Sequence, residues 1–501
     1  MHTSRTKNLF LIFALTILAF VVTGYHPGVE DDGIYLAAVK SNLDPTLFPF
    51  DKPFFRMQLQ ATVFDKWEAG FVHLTHIPLA VTALVWQFAA MFLILLSAWS
   101  ILRRLFDDAR AQWAGVAMLG AMFTLPVAGT ALYIVDQHLH PRTIATALIL
   151  LAVSRIMAKK YWLVAPLLIV AFVMHPIMGA MGLSFSCILT LTLAAPAIME
   201  RIRAVKQGRD ALKEQVVLIA AAVPLGWILE PPTPLWHKAL DTRTYLFIFR
   251  WTWYEWLGAI APLFIFWLLW RIARKRGEEN LSRFALAVFI YGVFQQMVAF
   301  VLLTPTALVR LTPMQPMRYL QLIYVFMTLI GGALLGKYLL KASIWRWAVF
   351  LLIFNGTMFL VQRQAFAATA HLELPFMAPS SPWLQAFDWV RQNTPQNAYF
   401  MLDPKYMDSP GEDYHSFRAL AERSQLVDAI KDTAVVTQVP ELGPEWDRET
   451  QAQAGWEHFK RADFQRLKAE FGVGWALVKY PQPDGLDCRW HNDILAVCRI
   501  P

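Results

Sequence analysis

Leu9-Phe-Leu-Ile-Phe-Ala-Leu-Thr-Ile-Leu-Ala-Phe-Val-Val22, followed a few residues later by Glu30-Asp31-Asp32, is the stretch whose reading decides the fold. The apolar run is preceded by Arg5 and Lys7, and the three acids stand where the chain leaves a membrane on the far side. A basic flank, an apolar run and an acidic exit describe a first membrane helix with its N-terminus in the cytoplasm. A carboxylate at such an exit can hold a divalent cation or take a proton from an incoming hydroxyl. The alternative is an ordinary solvated loop.

The rest of the chain agrees with a membrane protein. Hydrophobic residues make up 56% of the 501, mean hydropathy is +0.40, and Trp and Phe number 20 and 35. A helix needs about 20 mostly apolar residues to cross a bilayer, and about eleven stretches approach that length. They are 9–22, 79–102, 111–135, 143–158, 161–174, 177–198, 215–229, 256–270, 281–303, 319–340 and 345–361. The fourth, fifth and seventh are short, as expected of tilted, broken or re-entrant helices. The expected fold class is therefore an α-helical polytopic membrane protein with a small C-terminal soluble α/β domain.

Basic residues alternate between successive connections. Arg103, Arg104 and Arg110, then Arg155, Lys159 and Lys160, then Arg201, Arg203, Lys206, Arg209 and Lys213 fall on the side of Arg5 and Lys7. Arg271, Arg274, Lys275 and Arg276, and finally Lys337, Lys341 and Arg346, continue the series. The positive-inside rule makes that side cytoplasmic. The net charge of +8 and pI near 9.3 come largely from these connections, so they report topology and not nucleic-acid binding. Ala19-Phe-Val-Val-Thr-Gly24 lacks a small-x-small cleavage pattern, which favours an uncleaved first helix over a signal peptide.

Two large segments then lie outside. Residues 1–370 read as the transmembrane domain, including the outer loop 25–70, which is rich in Pro and Phe. Within it, 54–71 has the mixed apolar and charged spacing of a helix lying on the membrane surface, with a packed loop as the alternative. Residues 371–501 read as the outer α/β domain. A helix is expected from Ser381-Pro382 to Asn393, strands at 398–402, 426–430 and 474–480, a helix at 462–470, and a final hairpin around His491-Asn492-Asp493. Cys488 and Cys498 flank that hairpin nearly opposite one another, in a compartment that permits a disulfide.

Polar groups gather at the outer helix ends. Asp136-Gln-His-Leu-His-Pro-Arg142 fills one very short connection, and Met174-His175-Pro176 forms the next. Arg250 follows Asp241 and Arg243 in a loop with several aromatics, while Arg310 and Arg318 stand at the outer mouth of the tenth span. Helix capping, an interfacial aromatic belt and snorkelling are the structural readings of these groups. The functional reading joins acids near Asp31 and Asp32 with imidazoles at His138, His140 and His175. Arginines at 142, 250, 310 and 318 would then clamp a phosphate.

With the acidic motif after the first span, the long first outer loop, about eleven spans and a terminal outer α/β domain, the chain resembles the C-type glycosyltransferase superfamily. The acidic pair is carried over to Asp31 and Asp32. His140-Pro-Arg142, His175-Pro176 and Trp389-Val-Arg-Gln-Asn-Thr-Pro395 are also similar to uncharacterised bacterial membrane proteins of this type. The resemblance implies a sugar transferase that uses a polyprenyl-phosphate-linked donor at the outer face of a bacterial inner membrane, with the C-terminal domain in the periplasm. Asp31 or Asp32 would be catalytic base or ligand to a divalent cation such as magnesium or manganese. Glu30, His138, His140, Arg142, His175, Arg250, Arg310 and Arg318 would bind substrate. The competing classes are a transporter or flippase of a lipid-linked or polar solute, and a non-catalytic scaffold for envelope assembly. Convergence of the acids and arginines on one cavity separates them.

Overall fold

The computed structural model describes residues 2–207 and 232–501. The expected span 215–229, with Arg209, Lys213 and Glu230 around it, lies outside the described residues. The chain begins with α1 (His2–Thr23), followed by three short helices, α2 (Asp32–Leu43), α3 (Pro53–Leu59) and α4 (Phe64–Thr75). Then come α5 (Leu79–Leu105), α6 (Ala109–Ala121), a small hairpin of β1 (Pro126–Val127) and β2 (Leu132–Tyr133), and α7 (Pro141–Met157). The series continues with α8 (Val164–Met174), α9 (Pro176–Gln207), α10 (Pro234–Asp241), α11 (Trp253–Lys275), α12 (Glu279–Leu303), α13 (Leu320–Leu335) and α14 (Ile344–Ala365).

Among the described residues seven helical segments are long and apolar enough to cross a membrane: Arg5–Thr23, Leu79–Leu105, Pro176–Ala195, Trp253–Lys275, Glu279–Leu303, Pro316–Leu340 and Ile344–Ala365. Each coincides with an expected span. The expected 143–158 and 161–174 correspond to the shorter α7 and α8. The expected span 111–135 does not form, because α6 stops after 13 residues. Beyond it Pro126 enters a tight hairpin in which Gly129 adopts φ +64°, so close to Trp251 that a Cβ would lie 2.4 Å from its ring. A hydropathy window averages over such a turn, which is why 111–135 reads as one span in the sequence.

Helix α13 lies at the centre, burying Leu320, Leu322, Ile323, Val325, Phe326 and Leu329, whereas α14 leaves Ile344, Trp345, Leu352 and Leu360 exposed. An apolar side chain left outward on a span of this kind faces lipid.

The C-terminal segment adds α15 (Pro382–Asn393), β3 (Tyr399–Met401), α16 (Phe417–Ala421), β4 (Ser424–Gln425), α17 (Lys431–Gln438), α18 (Gly443–Ala452), α19 (Arg461–Phe471), β5 (Trp475–Lys479), β6 (Asp487–His491) and β7 (Leu495–Arg499). The sheet runs β4-β3-β5-β7-β6, parallel through its first three strands and antiparallel from β5 onward. Side chains alternate as the period of two requires. Phe400, Leu477 and Val497 pack under Trp383 and Phe387 of α15, while Tyr399, Met401, Ala476, Val478 and Ala496 pack under Phe464 and Leu467 of α19. Cys488 and Cys498 face each other across β6 and β7 and are joined by a disulfide.

Two expectations change here. The strand expected at 426–430 is a two-residue strand ending at Gln425, because the Asp428 carboxylate accepts from the amides of Ile430 and Lys431 and turns the chain into α17. The single surface helix expected at 54–71 is split into α3 and α4. Phe48, Phe54 and Phe55 are buried in one cluster with Trp236 and Leu240 of α10 and with Val427, Val435, Val436 and Trp446. The segment expected as the outer loop is therefore packed against the C-terminal segment. Arg418 locks the two together, donating from Nε to Asp51 at 2.6 Å and from both terminal nitrogens to Asp432 at 3.0 Å.

Candidate active site at the outer helix ends

The acidic turn is held in place by its backbone. Glu30 adopts φ +53°, unusual for a residue with a Cβ, and its amide donates to Tyr414 O at 3.0 Å. On the other side of the same small antiparallel contact, Ser416 N donates to Gly28 O at 2.9 Å. Gly28 has φ +85°, and a Cβ there would sit 2.8 Å from Leu420.

The two aspartates that follow have opposite surroundings. Asp32 is 7% exposed and turns inward to accept from Gly28 N at 2.6 Å; burial pushes its carboxyl up, offset in part by His138 and that amide. Glu68 on α4, behind it, is pushed up to about 8 by burial and by the Asp32 charge. The Asp31 side chain, by contrast, remains 40% exposed.

Asp31 has two distinct sides. Its Oδ1 lies 3.2 Å from Nζ of Lys431, which also reaches Glu30 at 2.5 Å. Its Oδ2 lies 3.8 Å from Nε2 of His140. Burial alone would raise this carboxyl; Lys431, His140 and Arg142 outweigh it and hold Asp31 well below the usual carboxylate range. Lys431 is the first residue of α17, where the helix dipole disfavours a cation, so its position is maintained by these carboxylates.

On the Oδ2 side a row of imidazoles leads to two guanidiniums. His140 caps α7, its Nδ1 accepting from Arg142 N at 2.9 Å, which leaves the proton of the neutral ring on Nε2, toward Asp31. Burial and the Arg142 charge push His140 down to about 4, so the ring is neutral at physiological pH. Tyr35 stacks edge-on to it at 4.8 Å. His138 and His175 flank it with ring centroids 5.8 and 6.1 Å away. Arg318 Nη1 lies 3.3 Å from His175 Nε2.

These groups are incompletely satisfied. Arg142 donates to Asp136 at 2.6 Å, but its Nε and Nη1 are buried with no hydrogen-bond partner among the described residues. Arg318 Nε, His140 Nε2 and both ring nitrogens of His138 share that state. Leaving a buried donor unpaired costs about 1–3 kcal/mol, so several in one place mark a site built for something that brings acceptors. An anion with several oxygens suits two guanidiniums best.

Glu30, Asp31, Asp32, His138, His140, Arg142, His175 and Arg318 thus come together. Arg250 does not: it is an exposed residue pairing with Asp241 at 2.6 Å and lying over Phe247, because the turns after α10 fold back and bring those partners within reach. Arg310 lies in the 3-10 helix Thr306–Met314, just before the segment that carries Arg318. The reading from residues missed Lys431, Tyr35 and Glu68. A lysine three residues after Asp428, whose carboxylate accepts from its amide at the helix start, is the signal that was present for the first.

The two aspartates expected to share a metal point to different sides. Asp32 turns away from Asp31, Lys431 occupies one side of Asp31, and no cluster of three metal-binding side chains forms among the described residues. That donor set does not fit a divalent cation.

Residues 381–449 match the model of a domain of unknown function, DUF6798. No curated protein matches the chain. Among solved structures, an oligosaccharyltransferase, AglB, from Archaeoglobus fulgidus, in complex with an inhibitory peptide and a dolichol-phosphate, is similar at 13% identity and a TM-score of 0.41, over 95% of this chain and 70% of that one. A second Archaeoglobus fulgidus oligosaccharyltransferase, in complex with zinc and sulfate, is similar at 11% identity and a TM-score of 0.35, over 94% and 67%. Superpositions this loose leave the function of the site to its own geometry.

Proposed function

We propose that the protein is a membrane glycosyltransferase of the C type, which transfers a sugar from a polyprenyl-phosphate-linked donor to an acceptor hydroxyl at the outer face of a bacterial inner membrane. The observation that carries this reading is the convergence of one accessible carboxylate, Asp31, with unpaired buried donors on Arg142 and Arg318. A scaffold has no use for such a convergence. Transport is disfavoured because the charged groups sit at helix ends, whereas a transporter binds near the midplane.

Donor phosphate is held by Arg142 and Arg318, with His175 beside them. The acceptor oxygen bonds to the anomeric carbon from the opposite face as the carbon–oxygen bond to phosphate breaks, giving inversion. The bonding electrons leave with the phosphate, whose charge the guanidiniums stabilise, and the hydroxyl proton passes to Asp31. A carboxylate held as acidic as Asp31 is a weak base. It suits a proton that becomes labile only once its oxygen has begun to bond to carbon. Asp32 positions the turn. The Cys488–Cys498 disulfide and the basic connections on the opposite side support a periplasmic location for the site and the C-terminal segment.

The test is mass spectrometry of lipids that co-purify with the gently solubilised protein. A polyprenyl phosphate or its glycosylated form in the wild type, depleted in Arg318→Ala, is expected. Bulk phospholipid alone in both would overturn the donor assignment.

A further inference from the structure

The two sides of Asp31 are chemically different, and the difference indicates which substrate goes where. The Oδ2 side leads through His140 to Arg142, His175 and Arg318, all cationic or neutral donors. The Oδ1 side leads to the buried Lys431 and, through it, to Glu30, whose amide donates to Tyr414 O. The Glu30 amide donates to Tyr414 O at 3.0 Å, both residues adopt positive φ, +53° and +64°, the Glu30 side chain is 44% exposed and Tyr414 is 38% exposed. Tyr133 lies within electrostatic reach of the same Glu30 carboxylate. The unpartnered His140 Nε2, 1% exposed and aimed at Asp31, marks the boundary between the two sides.

A carboxylate and an ammonium 2.5 Å apart, with Tyr414 on the neighbouring backbone and Tyr133 within electrostatic reach, offer hydrogen-bond acceptors, donors and aromatic groups in one region. That set matches a ring carrying adjacent hydroxyls on one edge and C–H groups on its face. A phosphorylated or acidic acceptor would meet Glu30 unfavourably, and a purely lipid acceptor would leave the Glu30–Lys431 pair desolvated without new partners.

From this we infer that Glu30, Lys431 and Tyr414 form the acceptor subsite and that the acceptor is an uncharged carbohydrate hydroxyl. The inference rests on the glycosyltransferase reading for its orientation, with the donor on the Oδ2 side. In the bound state an acceptor hydroxyl inserts at Asp31 Oδ1 while its neighbours engage Glu30 and Lys431, and the ring lies against Tyr414.

Binding of detergent-purified full-length protein to an array of neutral and acidic oligosaccharides tests this directly. Saturable binding to a subset of neutral glycans is expected. It should weaken about tenfold or more in Glu30→Gln and in Tyr414→Asn. Asparagine tolerates positive φ, so Tyr414→Asn removes the ring without adding backbone strain, and unfolding temperature serves as the control for fold. Unchanged glycan affinity in both folded variants would overturn the subsite, as would a preference for acidic glycans or the absence of any glycan binding. Failure of the donor assignment is distinguishable, since it appears as missing polyprenyl lipid in the wild type while glycan binding and its loss in the two variants persist.

Discussion

Two arginines are about equally buried in this protein and live in opposite circumstances. Arg418, 2% exposed, has all three side-chain nitrogens paired, to Asp51 and to both oxygens of Asp432. Arg142, 3% exposed, has one nitrogen paired and two with no hydrogen-bond partner among the described residues. Burying a guanidinium is costly in both places, and at Arg418 neighbouring carboxylates offset that cost within the fold. At Arg142 the deficit is carried into the folded state. An arginine that is fully paired joins parts of the chain, and one left short of acceptors is set for a ligand.

The comparison breaks first on stability. Arg418→Met leaves Asp51 and Asp432 buried without a cation and is expected to cost about 3–5 kcal/mol, exposing the 399–449 region to protease. Arg142→Met strands only Asp136 and removes two unpaired donors, so its cost should be clearly smaller. Equal destabilisation would mean that Arg142 is as structural as Arg418.

Activity should rank the pair in the opposite order. Arg142→Met and Arg318→Ala are each expected to lower sugar transfer by about 10²–10³, the usual loss for one stabilising donor in a closed site, with unfolding temperature falling less than in Arg418→Met. Asp31→Asn should abolish transfer with the protein still folded. Full transfer by Asp31→Asn would remove the chemical role assigned to that carboxylate.

How far each arginine could be read from the chain follows from distance. His140, Arg142, His175 and Arg318 were legible because each sits at a helix end, and charge alternation assigns all those ends to one side. Lys431 was not. It lies 400 residues from Asp31, in a segment whose local pattern suggests a strand, and only tertiary packing brings α17 over the acidic turn. Arg250 misled for the converse reason. Its side looked right, but Asp241 and Phe247 are local partners that engage it. The break after α6 was hidden by hydropathy, which does not register that Pro126 and the turn at Gly129 interrupt an apolar run.

A third test sharpens the contrast by touching neither arginine. Closing a loop of this size with a disulfide contributes about 2–3 kcal/mol in the chain-entropy view, so Cys488→Ser with Cys498→Ser should loosen the β6–β7 edge by up to that amount. Lipid retention and glycan binding should not move, since the hairpin lies at the far end of the sheet from β4.

The smallest effect expected is one of pH, at the buried cluster of acids and imidazoles around Glu373. Glu373 accepts from His26 at 2.6 Å and sits 3.1 Å from His415, which also faces Glu412 at 3.3 Å, with Asp413 next in the chain. Burial alone would lower His415, but Glu373 and Glu412 overcome it and raise the imidazole to about 10, while His415 and His26 overcome burial to bring Glu373 down to about 2. A histidine raised on folding contributes its stabilisation in full below its unfolded pKa, near 6.5, and loses it as pH climbs toward 10. On the acid side Glu373 loses its contribution between about 4.5 and 2, but His26 is lowered and Glu412 raised by burial, so that limb mixes opposing effects. The alkaline limb is the clean one. The unfolding temperature advantage of wild type over His415→Gln should be largest at pH 6 and shrink steadily from pH 7 to 10. An advantage that stays constant across that range would show that His415 acts by packing alone. The rule drawn from Arg418, that paired charge in this interface is structural, would then not extend to the imidazole that holds the acidic turn.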